Sequence, residues 1–391
     1  MKTLNQGNFK EKKVLLRCEM NVPIKDGVIT DDTRIRESLP TINYLLENGA
    51  AIIIMAHLGR PEGTGYEEAF SLKPVAAHLS KLLGKPVAVA GDVFKEKTEE
   101  AAKALKAGEI LMLENVRFVK GETKGDEAFA KYLASLGEVY VNDAFGTTHR
   151  AHSSTAVIAQ FFPNDKYVGK LLEHEIVNLE KLVKTPEHPF TAIIGGAKVS
   201  SKIDVLKNLV DKVDNLIIGG GMAYTFIKAL GGQIGKSLCE DDKLDLAKEI
   251  LAIYKEKGVQ LALPVDTLVA DAFDNNANRK VVPTMEIPAE WEGMDIGPKS
   301  IDAFKDIVRS SKTILWNGPL GVFEMDNFAA GTLEVGKCVG ESNAFSAVGG
   351  GDSIAAVNKL GIASKISYIS TGGGAMIEYL EGKTLPGIAA L

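Results

Sequence analysis

An arginine, a carboxylate and an amide alternate at the end of an apolar run. In KVLLRCEMNVP (13–23), Val14, Leu15 and Leu16 read as a buried strand, and Arg17, Glu19 and Asn21 occupy every second position after it. A strand sends successive side chains to opposite faces. The three polar groups are therefore expected on one face, with Leu16, Cys18 and Met20 on the other. Other apolar runs also end in basic residues: His57-Leu58-Gly59-Arg60, then Arg117, then His149-Arg150, with Arg34 and Arg36 following the first strand. Arginine presents a planar fork that matches phosphate and carboxylate oxygens. Hydrogen bonds to charged groups contribute about 1.5–3 kcal/mol each. Any one of these arginines is equally well read as a surface or ion-paired residue. As a set at strand ends they predict a site for a small, highly charged anion.

The second half of the chain ends its apolar runs differently, in glycine: Gly195-Gly196-Ala197-Lys198, Gly219-Gly220-Gly221, Asn317-Gly318-Pro319, Gly349-Gly350-Gly351-Asp352 and Gly372-Gly373-Gly374. Glycine lets backbone N–H groups approach a phosphate, and helix N-termini favour anions. Lys198 and Lys202 are spaced to share one helix face. Two cations near a helix N-terminus are unfavourable unless an anion joins them. Asp352 and Ser353 suit helix capping, and a carboxylate beside phosphates is also the usual ligand of magnesium.

These residues need strands that end together. Short Val- and Ile-rich runs recur: VLLRCE (14–19), AIIIMAH (51–57), ILML (110–113) and VYVNDAF (139–145) in the first half, then TAIIGG (191–196), NLIIGGG (215–221), LALPVD (261–266), TILWNG (313–318), AFSAVGGG (344–351) and ISYISTGGG (366–374). Amphipathic segments separate them. This alternation predicts an α/β protein of two Rossmann-like domains, each a parallel sheet flanked by helices. Ligands of such sheets bind beyond the carboxyl ends of the strands. Between the halves, Val168, Leu171, Leu172, Ile176, Leu179, Leu182 and Val183 repeat at helical spacing. Thr185-Pro186 stops that helix, and the domain boundary is expected along it.

Composition narrows the function. The 391 residues carry a net charge of −6, which gives no global field for nucleic acid. The three cysteines lie far apart, without zinc-ligand spacing, and their sparse, odd count fits a reducing compartment. The N-terminal segment lacks the apolar core of a secretory signal, and no apolar run is long enough for a membrane helix. Some familiar patterns fail on spacing. GGQIGKS (231–237) is one residue short of a P-loop, GGGMAY and GGGDSI miss the last glycine of GxGxxG, and HEIVN is not HExxH. A nicotinamide-dependent dehydrogenase therefore lacks its fingerprint. His78 and His188 read as structural or exposed.

The stretches NVPIKDGVITDDTRIRESLPTI, HLGRP, LENVRF, NDAFGTTHRAHSST, GGAKVSSKIDVL, WNGPLGVFE, GGGDS and STGGGA occur in this order across the chain. Together they resemble the phosphoglycerate kinase family. The resemblance implies a hinged two-domain enzyme that transfers a phosphoryl group reversibly from 1,3-bisphosphoglycerate to ADP, giving 3-phosphoglycerate and ATP with Mg2+. Residues 1–169 would bind 3-phosphoglycerate. Residues 170–376, beginning with the interdomain helix, would bind nucleotide, and the tail 377–391 would pack on the first domain. Glycerate-binding positions carried over are Glu19, Asn21, Arg34, His57, Leu58, Gly59, Arg60, Arg117, His149 and Arg150. Nucleotide-binding positions are Lys198, Lys202, Gly219, Gly220, Asn317, Glu324, Gly350, Gly351, Asp352 and Ser353, with Asp352 holding the metal. Arg34, Lys198 and backbone groups at Gly350 and Gly373 would balance charge on the transferred phosphoryl.

The chain departs from the family pattern at Glu19, where an aspartate is usual, and mildly at Ser201. A carboxylate one methylene further out can still accept a hydrogen bond from the substrate hydroxyl, but a misplacement of ~1 Å can cost roughly 10²-fold in rate. The alternative reading is a catalytically impaired nucleotide- and anion-binding relative. The expectation is an active, monomeric, cytoplasmic enzyme that binds neither nucleic acid nor membrane. Anion and nucleotide sites on separate halves also imply domain closure about the 168–185 segment, which would exclude water.

Overall fold

The alternating runs resolve into two six-stranded sheets. The computed structural model describes all 391 residues, and its contacts divide them into two units, residues 1–177 with 384–391, and residues 178–383. In the first unit β1 (Lys13–Cys18), β2 (Ala51–Met55), β3 (Val87–Val89), β4 (Ile110–Met112), β5 (Val139–Asp143) and β6 (Lys166–Val168) stand in the spatial order β3-β4-β2-β1-β5-β6. Every pair is parallel, so the carboxyl ends share one edge. Alternate residues feed two cores. Val14, Leu16, Ile52 and Ile54 join one cluster, and Leu15, Ile53 and Leu111 join the other. Burial on both faces is why these strands read as unbroken apolar runs.

In the second unit β7 (Phe190–Ile194), β8 (Asn215–Ile218) and β9 (Gln260–Ala262) extend one way, while β13 (Thr313–Asn317), β14 (Phe345–Gly349) and β15 (Tyr368–Ile369) extend the other, giving β9-β8-β7-β13-β14-β15. All six strands are parallel, and the order in which they are added reverses between β7 and β13, the crevice where ligands of open α/β sheets bind. Three intervening strands, β10 (Asp266–Ala270), β11 (Arg279–Pro283) and β12 (Glu292–Ile296), form a separate antiparallel sheet in the order β11-β10-β12. That sheet was not expected. LALPVD is two strand ends rather than one strand: β9 stops at Ala262 and β10 starts at Asp266, with Pro264 between them and no N–H to continue a ladder. ISYISTGGG contributes only the two residues of β15.

The helical spacing read from Val168 becomes α2 (Lys170–Val183), with Val168 itself ending β6; α1 (Thr33–Glu47) precedes it in the chain. Asp143, at the end of β5, accepts backbone bonds from Leu171 and Leu172 at 2.9 and 3.2 Å, and Thr41 Oγ1 accepts one from Lys170 at 2.8 Å. The contact division falls inside α2, between Val177 and Asn178, rather than at 169/170. Residues 377–383 cluster with the second unit, where Asn208 Nδ2 donates to Leu380 O, and residues from Thr384 cluster with the first. Gly387 N donates to Thr148 O at 2.8 Å, and Lys166 Nζ donates to Ala390 O at 2.6 Å. No helix is long and apolar enough to cross a membrane.

Burial raises the Asp143 carboxyl to about 7, against the hydrogen bonds from Thr41, Leu172 and Leu171. A carboxyl whose folded pKa lies above its unfolded 3.8 holds its proton in the native state through that window. Its contribution to stability is greatest at low pH and is lost as pH rises toward 7. Between pH 5 and 8 the loss should amount to about 2–3 kcal/mol. Asp143→Asn keeps an acceptor for the helix end and removes the titration. Denaturant unfolding at the two pH values should therefore show a flatter pH dependence for the variant; parallel curves would contradict the assignment.

Candidate functional site

The first strand delivers its polar residues unevenly. β1 ends at Cys18, so Glu19 and Asn21 lie just beyond it. Arg17 does not share their exposure to a ligand. It is fully buried, donating to Ser154 Oγ at 2.8 Å, to Cys18 O, and to His57 Nδ1 at 3.1 Å. Glu19 Oε1 lies 3.6 Å from Arg34 Nη1 and 4.0 Å from His57 Nε2, while Oε2 is buried without a partner. Arg34, in the first turn of α1, donates to Asn21 O at 2.7 Å. Asn21 Oδ1 accepts from Gly59 N at 2.9 Å. The 57–60 loop is thereby tied to the end of β1. Leu58 enters through its backbone, since its side chain is buried and its carbonyl accepts from Asn115 Nδ2 at 2.7 Å. Arg117 Nη1 donates to Gly59 O at 3.0 Å, but its buried Nε has no partner.

Arg60, Arg117 and His152 line a recess of about 420 Å³ together with Lys120 and Lys124. Exposed Arg150 and half-buried His149 stand on the segment after β5. The positive charges act on one another. Burial, then Arg17 and Arg117, push His57 well below its usual range. Burial, then Arg117, Arg17 and Arg150, push His152 down to about 4. Imidazoles held neutral by a crowd of guanidinium groups are what an anion site looks like before its anion arrives.

The second unit builds its site at the β7/β13 reversal. Lys198 and Lys202 were expected on one helix face. Instead Val199–Ser201 is a 3-10 turn, held by Lys202 N donating to Val199 O at 2.9 Å, and α3 (Ile203–Leu209) starts only afterwards. Lys198 is extended in backbone and exposed, whereas Lys202 is half-buried with Nζ donating to Asn317 Oδ1 at 2.5 Å. Burial lowers the Lys202 ammonium. Asn317 Nδ2 in turn donates to Gly349 O at 2.9 Å, and Ser353 Oγ accepts from Gly318 N at 2.6 Å. Ser353 thus ties the β13 loop to the helix after β14, rather than capping that helix.

That helix is residues Gly351–Leu360, capped by Gly350 at φ 93°. Only glycine adopts this backbone readily, and a Cβ there would lie 3.0 Å from Asn317 Nδ2. Exposed Asp352 follows in its first turn. Gly373, at φ 52°, caps Gly374–Leu380 one strand further along. A cavity of about 570 Å³ opens from the glycine loops, lined by Gly220, Tyr224, Leu238, Leu320, Glu324 and Asp352 among others. Gly219 packs closely behind Leu320, which lines the cavity. An apolar slot with glycine backbone and carboxylates at its mouth suits a nucleotide.

Sequence reasoning missed three contributors. Asn115 holds the 57–60 loop, also donating to Phe70 O at 3.0 Å. His152 stands two residues after Arg150 in HRAHSST and was visible in that motif. The apolar slot residues Tyr224, Leu238 and Met294 carry no chemical signature, and Met294 belongs to the unexpected antiparallel sheet.

A family model described as phosphoglycerate kinase matches residues 4–383. The chain is similar to the solved phosphoglycerate kinase from Coxiella burnetii, with 42% identity over 99% of this chain and 98% of that one, at a TM-score of 0.92. It is also similar to the phosphoglycerate kinase from Pyrococcus horikoshii OT3, with 35% identity over 100% of this chain and 98% of that one, at a TM-score of 0.83. With the family matched over nearly its whole length and both sheets accounted for, the chain belongs to the phosphoglycerate kinase family.

Proposed function

We propose that the chain transfers the acyl phosphate of 1,3-bisphosphoglycerate to ADP, with Glu19, Asn21, Arg34, His57, Arg60, Arg117, His149 and Arg150 holding the glycerate. Leu58 and Gly59 contribute backbone. The observation that carries this reading is the set of unpartnered buried polar atoms, Glu19 Oε2, Arg117 Nε and His152 Nδ1, among the arginines at the strand ends. An oxygen of the ADP terminal phosphate attacks the phosphorus of the acyl phosphate, the P–O bond to the acyl group breaks, and the glycerate carboxylate leaves with its electron pair. No proton need move. The protein's task is in-line positioning and stabilisation of charge on the equatorial oxygens.

Arg34 and Lys198 supply cations to the transferred group, and the helix heads at Gly350 and Gly373 supply backbone donors. Lys202, Gly219, Gly220, Asn317, Glu324, Gly351 and Ser353 shape the nucleotide site. Asp352 fits a magnesium ion carried by the nucleotide, because such ions take one or two carboxylates and complete their shell with phosphate oxygens and water. When bound, it would neutralise charge on the phosphates. The two sets of residues belong to separate units, so the reaction requires closure. Small-angle scattering that shows compaction only with both substrates present would support this. The three free cysteines support a reducing, cytoplasmic setting, and a monomer needs no residue from a second copy.

The test is ATP-dependent phosphorylation of 3-phosphoglycerate with magnesium by wild type and Glu19→Asp. Glu19 already reaches Arg34 and faces His57, so turnover by the wild type is expected, with the variant changing KM for 3-phosphoglycerate and not for ATP. ATP binding without turnover, restored by Glu19→Asp, would instead mark an impaired relative, which nothing else in the chain favours.

A further inference from the structure

We infer that Arg17 is a positioning residue which, backed by Ser154 and Glu122, fixes His57 as the tautomer protonated on Nε2 and so aims that ring's single donor at the glycerate site. The inference rests on the proposed role of His57 in holding the glycerate. The residues form one buried chain. Ser154 Oγ accepts from Arg17 Nε at 2.8 Å and donates to Glu122 Oε1 at 2.5 Å, and Ser154 N donates to Glu122 Oε2 at 3.0 Å. Arg17, Ser154 and Glu122 are each fully buried. With one edge of the guanidinium engaged by Ser154 and another by Cys18 O, the remaining nitrogen meets His57 Nδ1 at 3.1 Å.

A guanidinium has donors and no acceptor, and it does not deprotonate in proteins. Nδ1 must therefore accept, and in a neutral ring the proton then sits on Nε2. His57 is neutral because burial and the nearby Arg17 and Arg117 disfavour its charge. The consequence lies on the far side of the ring, where Nε2 faces Glu19 Oε1 at 4.0 Å. A donor there is attractive to the Glu19 carboxylate and to any anionic ligand oxygen. The opposite tautomer would turn a lone pair toward both. Glu122 makes the arrangement possible at this depth: burial raises its carboxyl, Arg17 opposes that rise, and Ser154 bridges the two.

The decisive readout is the ring 15N spectrum of His57 in protein without substrate, assigned by comparison with His57→Gln. The wild type should show an unprotonated Nδ1 and a protonated Nε2. Ser154→Ala removes the bridge while keeping every charge. It should shift both nitrogens toward a tautomer average and raise KM for 3-phosphoglycerate about fivefold to tenfold, leaving KM for ATP within about twofold. Ser154→Thr, which retains the hydroxyl, should restore both. Arg17→Lys should behave like Ser154→Ala, since an ammonium cannot engage Ser154, Cys18 and His57 in one plane. A wild-type ring protonated on Nδ1 would overturn the inference, as would a Ser154→Ala spectrum and KM that match the wild type. Because the spectrum needs no substrate, absence of turnover by the wild type would overturn the proposed reaction while leaving the tautomer readable.

Discussion

Arg34→Ala is expected to lower kcat by roughly 10²–10³-fold, the usual cost of removing one preorganised donor from a developing negative charge. Arg34 lies in the first turn of α1, where a cation is unfavourable for the helix itself. Nor does it serve a buried network. Its side chain is 39% exposed, and only Nη1 is engaged, by Asn21 O at 2.7 Å, with Glu19 Oε1 at 3.6 Å. The rest of the fork is available to a ligand. Substrate alone should gain less from it than the transition state, in which charge spreads over the equatorial oxygens, so the loss should fall more on kcat than on KM. Arg34→Lys should sit between the two, because it keeps the charge and loses the planar fork. Steady-state kinetics on the three proteins, with circular dichroism to verify the fold, provide the check. A kcat for Arg34→Ala within about threefold of wild type would remove Arg34 from the charge-balancing role.

The parts of the fold legible in the sequence were those buried on both faces. β1, β2, β5, β7 and β13 announce themselves as runs of Val, Ile and Leu because helices cover both sides of each sheet. The parts that were not legible are edges and additions. β3 and β6 have three residues each and lie at the ends of their sheet, and neither stands out as an apolar run. So short a segment gives no period to read. The antiparallel sheet between β9 and β13 has one strand, β11, whose residues are mostly exposed, and its sequence RKVVP resembles a loop as much as a strand.

The site was legible where charge gathers at strand ends and illegible where direction matters. Spacing placed Arg17 on the face of Glu19 and Asn21. The chain instead leaves the strand after Cys18, and a guanidinium that can reach Ser154 and His57 at once turns inward. Helical spacing likewise paired Lys198 with Lys202. Ser201 Oγ bonding back to Lys198 O at 2.8 Å belongs to a 3-10 turn that separates them. Residue type told which groups could do chemistry. Which of them face a ligand was decided by turns of three or four residues.

That separation makes Lys198 the second test with a large effect. The ammonium of Lys198 has neither a hydrogen bond nor an ion pair, and it stands on the glycine loop that leaves β7 beside the β13 reversal. Lys202, four residues on, is half-buried and bonded to Asn317. Lys198→Ala should therefore lower kcat by roughly 10²–10³-fold while changing stability by no more than about 0.5 kcal/mol, as for an exposed side chain without partners. Lys202→Ala should do something different. It leaves buried Asn317 Oδ1 without its donor, which costs about 1–3 kcal/mol of stability, and it should raise KM for the nucleotide. Measuring kcat, nucleotide KM and denaturant midpoint on both variants separates the roles. If Lys198→Ala loses stability in step with activity, Lys198 supports the loop instead of the transferred phosphoryl. If it keeps both, the charge on that group is balanced elsewhere, and Arg34 must act with the helix-head N–H groups alone.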